Sequence, residues 1–425
     1  MTLTSTLPAA TDRWPGLYDV PTGPRARAGA AITRRLLHRI ADRLGVRVIE
    51  DSTGSQSPGA RFPVPPSGST APTLVLHRPE EFFRRVGTDG LIGFGEAWMT
   101  GAWDSPDLDL LLTTMAHELG TLVPAPLQRM RRLWAARMPG AHRNSQEQAR
   151  ENIAHHYDLS NDLFATFLDP TMTYSSALFE DGDEDLERAQ IRKIERLLDQ
   201  AAVRAGSRVL EIGTGWGELA IRAAARGASV RSVTLSVEQQ QLARERIAAA
   251  GFADRVEVAL LDYRAVEGNY EAICSVEMIE AVGHEFWPTY FAKLDALLAP
   301  GGRAAIQAIT MPHDRMLATR GGHTWINKYI FPGGFLPSVE AIEQVTGEHT
   351  SLRVVDRLAF GAHYAETLRQ WDEAFAASAD RLDDLGFDEV FARMWHFYLA
   401  YSRAGFASGY LDVQQITLAR SEEAS

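Results

Sequence analysis

The residues with the clearest chemical potential form a glycine-rich turn at positions 211–217, Glu-Ile-Gly-Thr-Gly-Trp-Gly. Glycines at alternate positions let a backbone turn sharply from a strand into a helix and approach a ligand closely. A dinucleotide-binding turn would read G-x-G-x-x-G, with an acid about 20 residues later. Here the spacing is G-x-G-x-G, and the next apolar segment ends in Thr234-Leu235-Ser236 without an acid. The turn therefore predicts a ligand other than a dinucleotide, and the alternative is a turn that binds nothing.

The elements around this turn alternate between helix and strand patterns from residue 187 onward. We predict helices at 187–203, 218–226, 237–250 and 287–298, and strands at 207–212, 229–234, 255–260, 270–276, 302–309, 352–358 and 414–419. This alternation predicts an α/β fold, a doubly wound, mostly parallel seven-stranded Rossmann-like sheet with helices on both faces. Ligands of such sheets bind beyond the carboxyl ends of the strands. With its preceding acid, the turn there resembles the S-adenosylmethionine (SAM) loop of class I methyltransferases.

The N-terminal third has a different character. We predict a loose lead-in over residues 1–28, a helix over 30–44, a Pro-, Ser- and Gly-rich loop over 52–69, a strand over 73–76 and a second helix over 127–138. Both helices interleave arginines with apolar residues, so each fits either a bilayer interface or packing on a core with solvated arginines. We therefore expect a lipid- or membrane-associating domain over residues 1–140. A methyltransferase catalytic domain with a helical lid would follow over residues 141–425.

The composition bears on compartment and partners. The single cysteine, Cys274, excludes an internal disulfide and lies in an apolar segment typical of a small core residue. Residues 1–150 carry 18 arginines against 14 acidic residues, whereas the remainder carries 25 basic and 41 acidic residues. This asymmetry favours anionic lipid over nucleic acid as a partner. Because there is no signal-peptide pattern and no apolar run of about 18 residues, we expect a cytoplasmic protein, peripherally associated with the inner face of the membrane.

Several segments resemble the cyclopropane-fatty-acid synthase family, which includes mycolic acid cyclopropane synthases and fatty-acid methyltransferases. The matching segments are HYDLSN (156–161), LDP (168–170), MTYS (172–175), the turn at 211–217, TLS with QQ (234–240), DYR (262–264) and WINKYIFP (325–332). Seven matches in the same order are far more specific than the glycine turn alone. The resemblance implies an enzyme that uses SAM to modify the double bond of an unsaturated acyl chain, usually within a phospholipid.

The resemblance also implies a set of SAM-binding residues. These are Tyr174, Ser175, Glu211, Gly213, Gly215, Gly217, Thr234, Leu235, Ser236, Gln239, Tyr263 and Arg264. The first two would reach SAM from a lid segment, and the glycines would pass under its amino-acid portion. Residues 234–239 would bind the ribose, and the last two would flank the adenine. The two tyrosines could instead be core aromatics. No metal site is predicted.

The chemistry of such a substrate demands a base. An alkene is a weak nucleophile, so the methyl donor must be held in line with the double bond in a water-poor site. The resulting carbocation must then lose a proton. In cyclopropane synthases the family pattern is a bound bicarbonate, held by a glutamate, a histidine, a tyrosine and the backbone near a cysteine. By this resemblance Glu280 is the glutamate and Tyr364 the tyrosine, although the first could be only a helix-start acid and the second only a packed aromatic.

The chain departs from this pattern in several places. Gln307 stands at the family histidine, Glu277 at a glycine, Ala281 at a second histidine, and Ser176 and Ser402 at cysteines. A neutral glutamine adds no positive charge, and an added carboxylate repels an anion and raises the pKa of one of the two acids. We therefore hypothesise that the bicarbonate site is weakened or lost and that Glu277 or Glu280 acts as the base. The alternative for Glu277 is a solvated loop acid.

A changed base favours a changed product. After a hydride shift, proton loss gives an exocyclic methylene instead of a ring, as in relatives that make the 10-methylene precursor of a 10-methyl acid from an oleoyl chain, which a flavin reductase then saturates. We rank this product above cyclopropane. Two other functions compete, methyl transfer to a soluble small molecule and lipid binding without catalysis. The intact glycine turn, Glu280 and Tyr364 argue against the second. The sequence leaves open whether the chain forms a homodimer or binds the reductase.

Overall fold

The computed structural model describes residues 13–50, 71–117, 160–182 and 184–420. The chain divides into two compact units, one of Met1–Ala136 with Phe375–Ala404 and one of Arg137–Ala374 with Gly405–Ser425. This division differs from the expected continuous domain over residues 141–425, because a C-terminal segment groups with the first unit. No local signal in the sequence marks that grouping, since it arises from contacts between residues far apart in the chain.

The first unit opens with a helix and a small sheet. Its N-terminal elements are α1 (Gly23–Leu44), β1 (Arg47–Glu50), β2 (Thr73–Leu76), α2 (Pro79–Asp89), α3 (Leu91–Met99), β3 (Trp103–Asp104) and α4 (Leu108–His117). The strand predicted over 73–76 is confirmed. The prediction of a loose lead-in to residue 28 is wrong at its end, because α1 begins at Gly23 with Pro24 in its first turn. Proline is suited to that position, where its missing N–H costs no hydrogen bond.

Helix α1 packs closely against α2. A Cβ atom on Gly29 would lie 2.6 Å from the carbonyl oxygen of Gly87, so only glycine allows this approach of the two backbones. Arg34 of α1 forms ion pairs with Glu50 at 2.9 Å and with Glu80 at 2.8 Å. At least this arginine of the predicted basic face is therefore paired within the unit. The second basic helix, predicted over 127–138, and the loop predicted over 52–69 lie outside the described residues.

The second unit contains the predicted alternation. Its elements as far as the first boundary at residue 374 are α5 (Asn161–Phe164), α6 (Leu186–Gln200), β4 (Arg208–Ile212), α7 (Glu218–Ala225), β5 (Ser229–Thr234), α8 (Val237–Ala249), β6 (Val256–Leu260), β7 (Tyr270–Val276), α9 (Trp287–Leu297), β8 (Leu298–Thr310), α10 (His313–Thr319), α11 (Trp325–Tyr329), α12 (Val339–His349), β9 (Leu352–Ala359) and most of α13 (Gly361–Ala377). Next along the chain are α14 (Ala379–Asp384) and α15 (Glu389–Ala407), which fall in the first unit except for the end of α15, and then β10 (Asp412–Arg420), which belongs to the second unit. All seven predicted strands are present, with boundaries shifted by a few residues at most.

The seven strands form one sheet in the order β6-β5-β4-β7-β8-β10-β9. All neighbours pair in parallel except β10, which is antiparallel to both β8 and β9. One apolar cluster joins the sheet to α6, α7 and α8, and a second joins it to α9 and α12. The predicted doubly wound, mostly parallel sheet is therefore confirmed. Strand order reverses beside β4, so ligands are expected at the carboxyl end of that strand.

Within the described parts of the chain, no helix is both long and apolar enough to cross a membrane.

Candidate active site

The glycine turn follows β4 and leads directly into α7. Gly213, Gly215 and Gly217 have φ angles of 94°, 53° and 92°, in the left-handed region that other residues avoid. A Cβ atom on Gly217 would also lie 3.3 Å from the Cβ of Ala243 on the neighbouring helix. The turn therefore needs glycine for its backbone conformation, and at Gly217 also for space. Such a turn exposes backbone amides at a helix N-terminus, where a ligand's polar groups bind.

A single cavity brings most of the predicted SAM-binding residues together. Those that line it are Tyr174, Ser175, Glu211, Gly213, Gly215, Thr234, Leu235, Gln239, Tyr263 and Arg264. Gly217 and Ser236 do not line it. Ser236 instead caps α8, where its side-chain oxygen accepts a hydrogen bond from the backbone of Gln239 at 3.1 Å. The resemblance thus selected residues of which ten line one cavity and two do not.

Glu211 is the buried acid at the floor of this cavity. Only 3% of its surface is exposed, and the hydroxyl of Ser232 donates to its carboxylate at 2.5 Å. Burial raises the pKa of Glu211 to about 8, and the bond from Ser232 only partly offsets that effect. A positively charged group in the cavity would favour the ionised carboxylate. The amino group of SAM is such a group, so Glu211 fits the amino-acid end of this ligand.

The other end of the cavity offers groups for a nucleoside. The hydroxyl of Thr234 donates to the side-chain oxygen of Gln239 at 2.9 Å, which fixes the amide of Gln239 at the start of α8. Arg264 forms two hydrogen bonds with Asp262, at 2.8 and 2.6 Å. Tyr263 also lines the cavity, and burial raises the pKa of its hydroxyl to about 12. Asp262 also lines the cavity, although it was not among the predicted site residues.

Glu277 is the only predicted catalytic residue that lines the cavity among the residues described. Its Oε1 accepts hydrogen bonds from the backbone N–H of Ser176 at 3.0 Å and from Nε2 of Gln307 at 2.8 Å. Its Oε2 accepts a hydrogen bond from the hydroxyl of Tyr364 at 2.7 Å. Burial raises the pKa of Glu277, while Lys193 and these donors oppose that effect. The alternative of a solvated loop acid is therefore wrong, because three donors fix this carboxylate inside the protein.

A chain of hydrogen bonds fixes the orientation of Gln307. Arg196 can only donate, and it donates to Oε1 of Gln415 at 2.7 Å. The Nε2 of Gln415 then donates to Oε1 of Gln307 at 3.2 Å. The amide of Gln307 must therefore turn its N–H group towards Glu277. A glutamine at this position is thus a donor to a carboxylate, which is a role that needs no positive charge.

Glu280 and Tyr364, unlike Glu277, do not line the cavity. The Oε1 of Glu280 accepts the backbone N–H of Ile309 at 2.5 Å, and its buried Oε2 has no hydrogen-bond partner within the described residues. Burial, together with the charge of Glu277, raises the pKa of Glu280 to about 8. Tyr364 stacks on Phe406 with ring centroids 4.5 Å apart, so it is both a packed aromatic and a hydrogen-bond donor to Glu277. The two acids therefore differ, since Glu277 faces the cavity and Glu280 does not.

Lys193 completes the site and was missed by the sequence analysis. It is fully buried, lines the cavity and donates to the hydroxyl of Ser175 at 2.5 Å. Burial lowers the pKa of Lys193 to about 8, against the opposing charges of Glu277 and Asp169. A signal existed, because Lys193 falls on the face of α6 that also carries buried Ile194 and Leu197. A charged residue at a core position of a helix indicates a buried partner or a ligand.

Comparisons with known proteins agree with this geometry. The family model for mycolic acid cyclopropane synthetase matches residues 144–416. A tuberculostearic acid methyltransferase of Mycobacterium tuberculosis is 58% identical over 98% of both chains. A cyclopropane-fatty-acyl-phospholipid synthase of Escherichia coli is 36% identical over 83% of this chain and 90% of its own. A solved cyclopropane synthase from M. tuberculosis superposes with a TM-score of 0.59, at 32% identity over 64% of this chain and 98% of its own.

The sheet, the glycine turn and the cavity define a class I SAM-dependent methyltransferase, and this class assignment agrees with the comparisons. More particularly, the chain belongs to the mycolic acid cyclopropane synthetase family. The site residues fit SAM, since Glu211 and the glycine turn suit its amino-acid end and the 234–239 and 262–264 segments suit its nucleoside. When bound, SAM supplies an electrophilic methyl group.

Proposed function

We propose that this enzyme transfers a methyl group to the double bond of an oleoyl chain in a membrane phospholipid and leaves a 10-methylene branch. The observation that carries this proposal is the carboxylate of Glu277, held at the cavity wall by Ser176, Gln307 and Tyr364. The 58% identity to a tuberculostearic acid methyltransferase over nearly the full length of both chains supports it. The name of the similar cyclopropane-fatty-acyl-phospholipid synthase of E. coli supports an acyl chain of a phospholipid as the substrate class.

The atoms balance without any further reactant. The π electrons of the alkene form a C–C bond to the methyl carbon, and the C–S electrons stay on sulfur. A hydride then moves from the methylated carbon to its cationic neighbour, so that the cation lies beside the new methyl group. Glu277 takes a proton from that methyl group, and the C–H electrons form the exocyclic double bond. The product therefore depends on whether this proton leaves before or after the hydride shift.

A cyclopropane product is the second candidate. It needs the same proton to leave before the hydride shift, so that the C–H electrons close a ring instead. The 36% identity to the cyclopropane-fatty-acyl-phospholipid synthase of E. coli favours this alternative. Methyl transfer to a soluble small molecule is the third candidate, and it predicts turnover without lipid vesicles.

The partners are also part of this proposal. We infer that the enzyme works peripherally at the inner face of the membrane, where an acyl chain can enter the cavity. The net positive charge of residues 1–150 supports attraction to anionic lipid. A methylene product needs two electrons and two protons to become a methyl branch, so we expect a flavin reductase to use this product as its substrate. A homodimer stays a prediction, which light scattering of the purified protein would test.

The deciding experiment is recovery of the product. The protein is incubated with SAM and vesicles of dioleoyl phospholipid, and the acyl chains are analysed by mass spectrometry and NMR. Vinylic protons of an exocyclic methylene are expected. Cyclopropyl protons alone would establish the ring-forming alternative, and turnover only with vesicle-free soluble acceptors would overturn the lipid assignment.

A further inference from the structure

Three hydrogen-bond donors from separate parts of the second unit converge on one carboxylate. The backbone N–H of Ser176 precedes α6, Gln307 lies in β8, and Tyr364 lies in α13. All three bonds are between 2.7 and 3.0 Å long. The buried ammonium of Lys193 adds positive charge nearby. Converging donors beside a buried cation are the ordinary construction of an anion site.

The anion in this site belongs to the chain itself. Glu277 supplies the carboxylate from a backbone with a φ of 48°, a conformation that side-chain-bearing residues rarely adopt. Such conformations persist where the surroundings fix them, and they cluster at functional sites. A glycine at this position would take the same backbone without strain. It would also leave the three donors facing an empty space large enough for a carboxylate-sized anion.

The donors coincide with the positions that the family resemblance assigned to a bound bicarbonate, namely 307, 364 and the backbone at 176. The residues present do not fit that ion, because the carboxylate of Glu277 already accepts their hydrogen bonds. A second anion would have no donor left among these three. It would also lie against two carboxylates, Glu277 and Glu280.

We propose that the carboxylate of Glu277 fills the anion site from within, serves as the catalytic base, and makes the enzyme independent of bicarbonate. This inference rests on the proposed methyl transfer to an alkene. The proton leaves the substrate methyl group, its C–H electrons stay with carbon, and the proton binds a carboxylate oxygen of Glu277. Because the base is tethered, it must release that proton to water through the cavity it lines before the next turnover.

The test compares the wild type with Glu277→Gly and Glu277→Gln, using dioleoyl phospholipid vesicles in buffer purged of carbon dioxide or supplemented with bicarbonate. The wild type is expected to keep its rate, within about twofold, in both buffers. Glu277→Gly should lose about a hundredfold without bicarbonate, the usual contribution of a general base, and regain much of it when bicarbonate is added. Glu277→Gln is the matched control, since it removes the base but still fills the space. It should lose activity and gain nothing from bicarbonate.

Binding gives a readout that does not depend on turnover. NMR with isotopically labelled bicarbonate should detect binding to Glu277→Gly but not to the wild type. A wild-type rate that falls in purged buffer and returns with bicarbonate would overturn the inference, as would full activity of Glu277→Gly in purged buffer. Thermal unfolding shows whether each variant is folded. If Glu277→Gly does not fold, the rates of the wild type with and without bicarbonate, together with bicarbonate binding to the wild type, still test the inference. The wild-type product, identified in the same reactions, tests the proposed function separately.

Discussion

The hydrogen bond from Tyr364 to Glu277 makes a quantitative prediction about the pH dependence of catalysis. The hydroxyl of the buried Tyr364 donates to Oε2 of Glu277 at 2.7 Å. A hydrogen bond to a charged group contributes about 1.5–3 kcal/mol, and about 1.4 kcal/mol corresponds to one pKa unit. In Tyr364→Phe the carboxylate loses this stabilisation, so the pKa of Glu277 should rise by about 1–2 units. The base works only when ionised, so the acidic limb of the rate profile should move to higher pH by that amount.

The assay is the initial rate of S-adenosylhomocysteine formation with dioleoyl phospholipid vesicles, measured from about pH 5.5 to about pH 9.5. Tyr270→Phe is the matched control, because its hydroxyl donates to the backbone carbonyl of Glu267 and not to a carboxylate. Its profile should follow the wild type. Lys193 and Glu280 titrate with Glu277 as one cluster, so the difference between the profiles is the informative quantity. An equal loss at every pH in Tyr364→Phe, with no shift of the limb, would refute the reasoning.

Three further predictions concern stability and cofactor binding. The pKa of Glu280 is raised to about 8, so the folded state keeps a proton that the unfolded state releases above about pH 4, and stability is lost as the pH rises through 8. In Glu280→Gln the melting temperature should therefore fall less between acidic and alkaline pH than it does in the wild type. An equal fall in the two proteins would contradict this prediction. Gly217→Ala should weaken SAM binding in calorimetry, because Gly217 has a φ of 92° and lies too close to Ala243 for a side chain to fit without a shift. Gly227→Ala is the control, since Gly227 has a similar φ of 88°, and this variant should be less stable but should keep its affinity for SAM. Glu211→Gln should weaken SAM binding by about tenfold or more, because the bond to the ligand's ammonium loses its charge, and unchanged affinity would remove Glu211 from the site.

Local sequence patterns predicted much of this site. The acid and alternate glycines at 211–217 predicted a strand-to-helix turn, and the turn lies at the carboxyl end of β4 with all three glycines at positive φ. That prediction succeeds because the turn depends on backbone conformation, which glycine encodes residue by residue. The departures at Glu277 and Gln307 were equally visible in the sequence. Their meaning was not, since a sequence alone gives no account of which donor faces which acceptor.

Sequence alone therefore determined the alternation of strands and helices, the glycine turn and the types of residue available for proton transfer. Tertiary structure alone decided that Ser176, Gln307 and Tyr364 meet on the carboxylate of Glu277, and that Glu280 does not line the cavity. It also placed Lys193 beside the cavity and grouped Phe375–Ala404 with the first unit. The physical reason is the distance along the chain over which each interaction acts. Backbone propensities and periodicity act between near neighbours, whereas hydrogen bonds and buried charges join residues far apart in the chain.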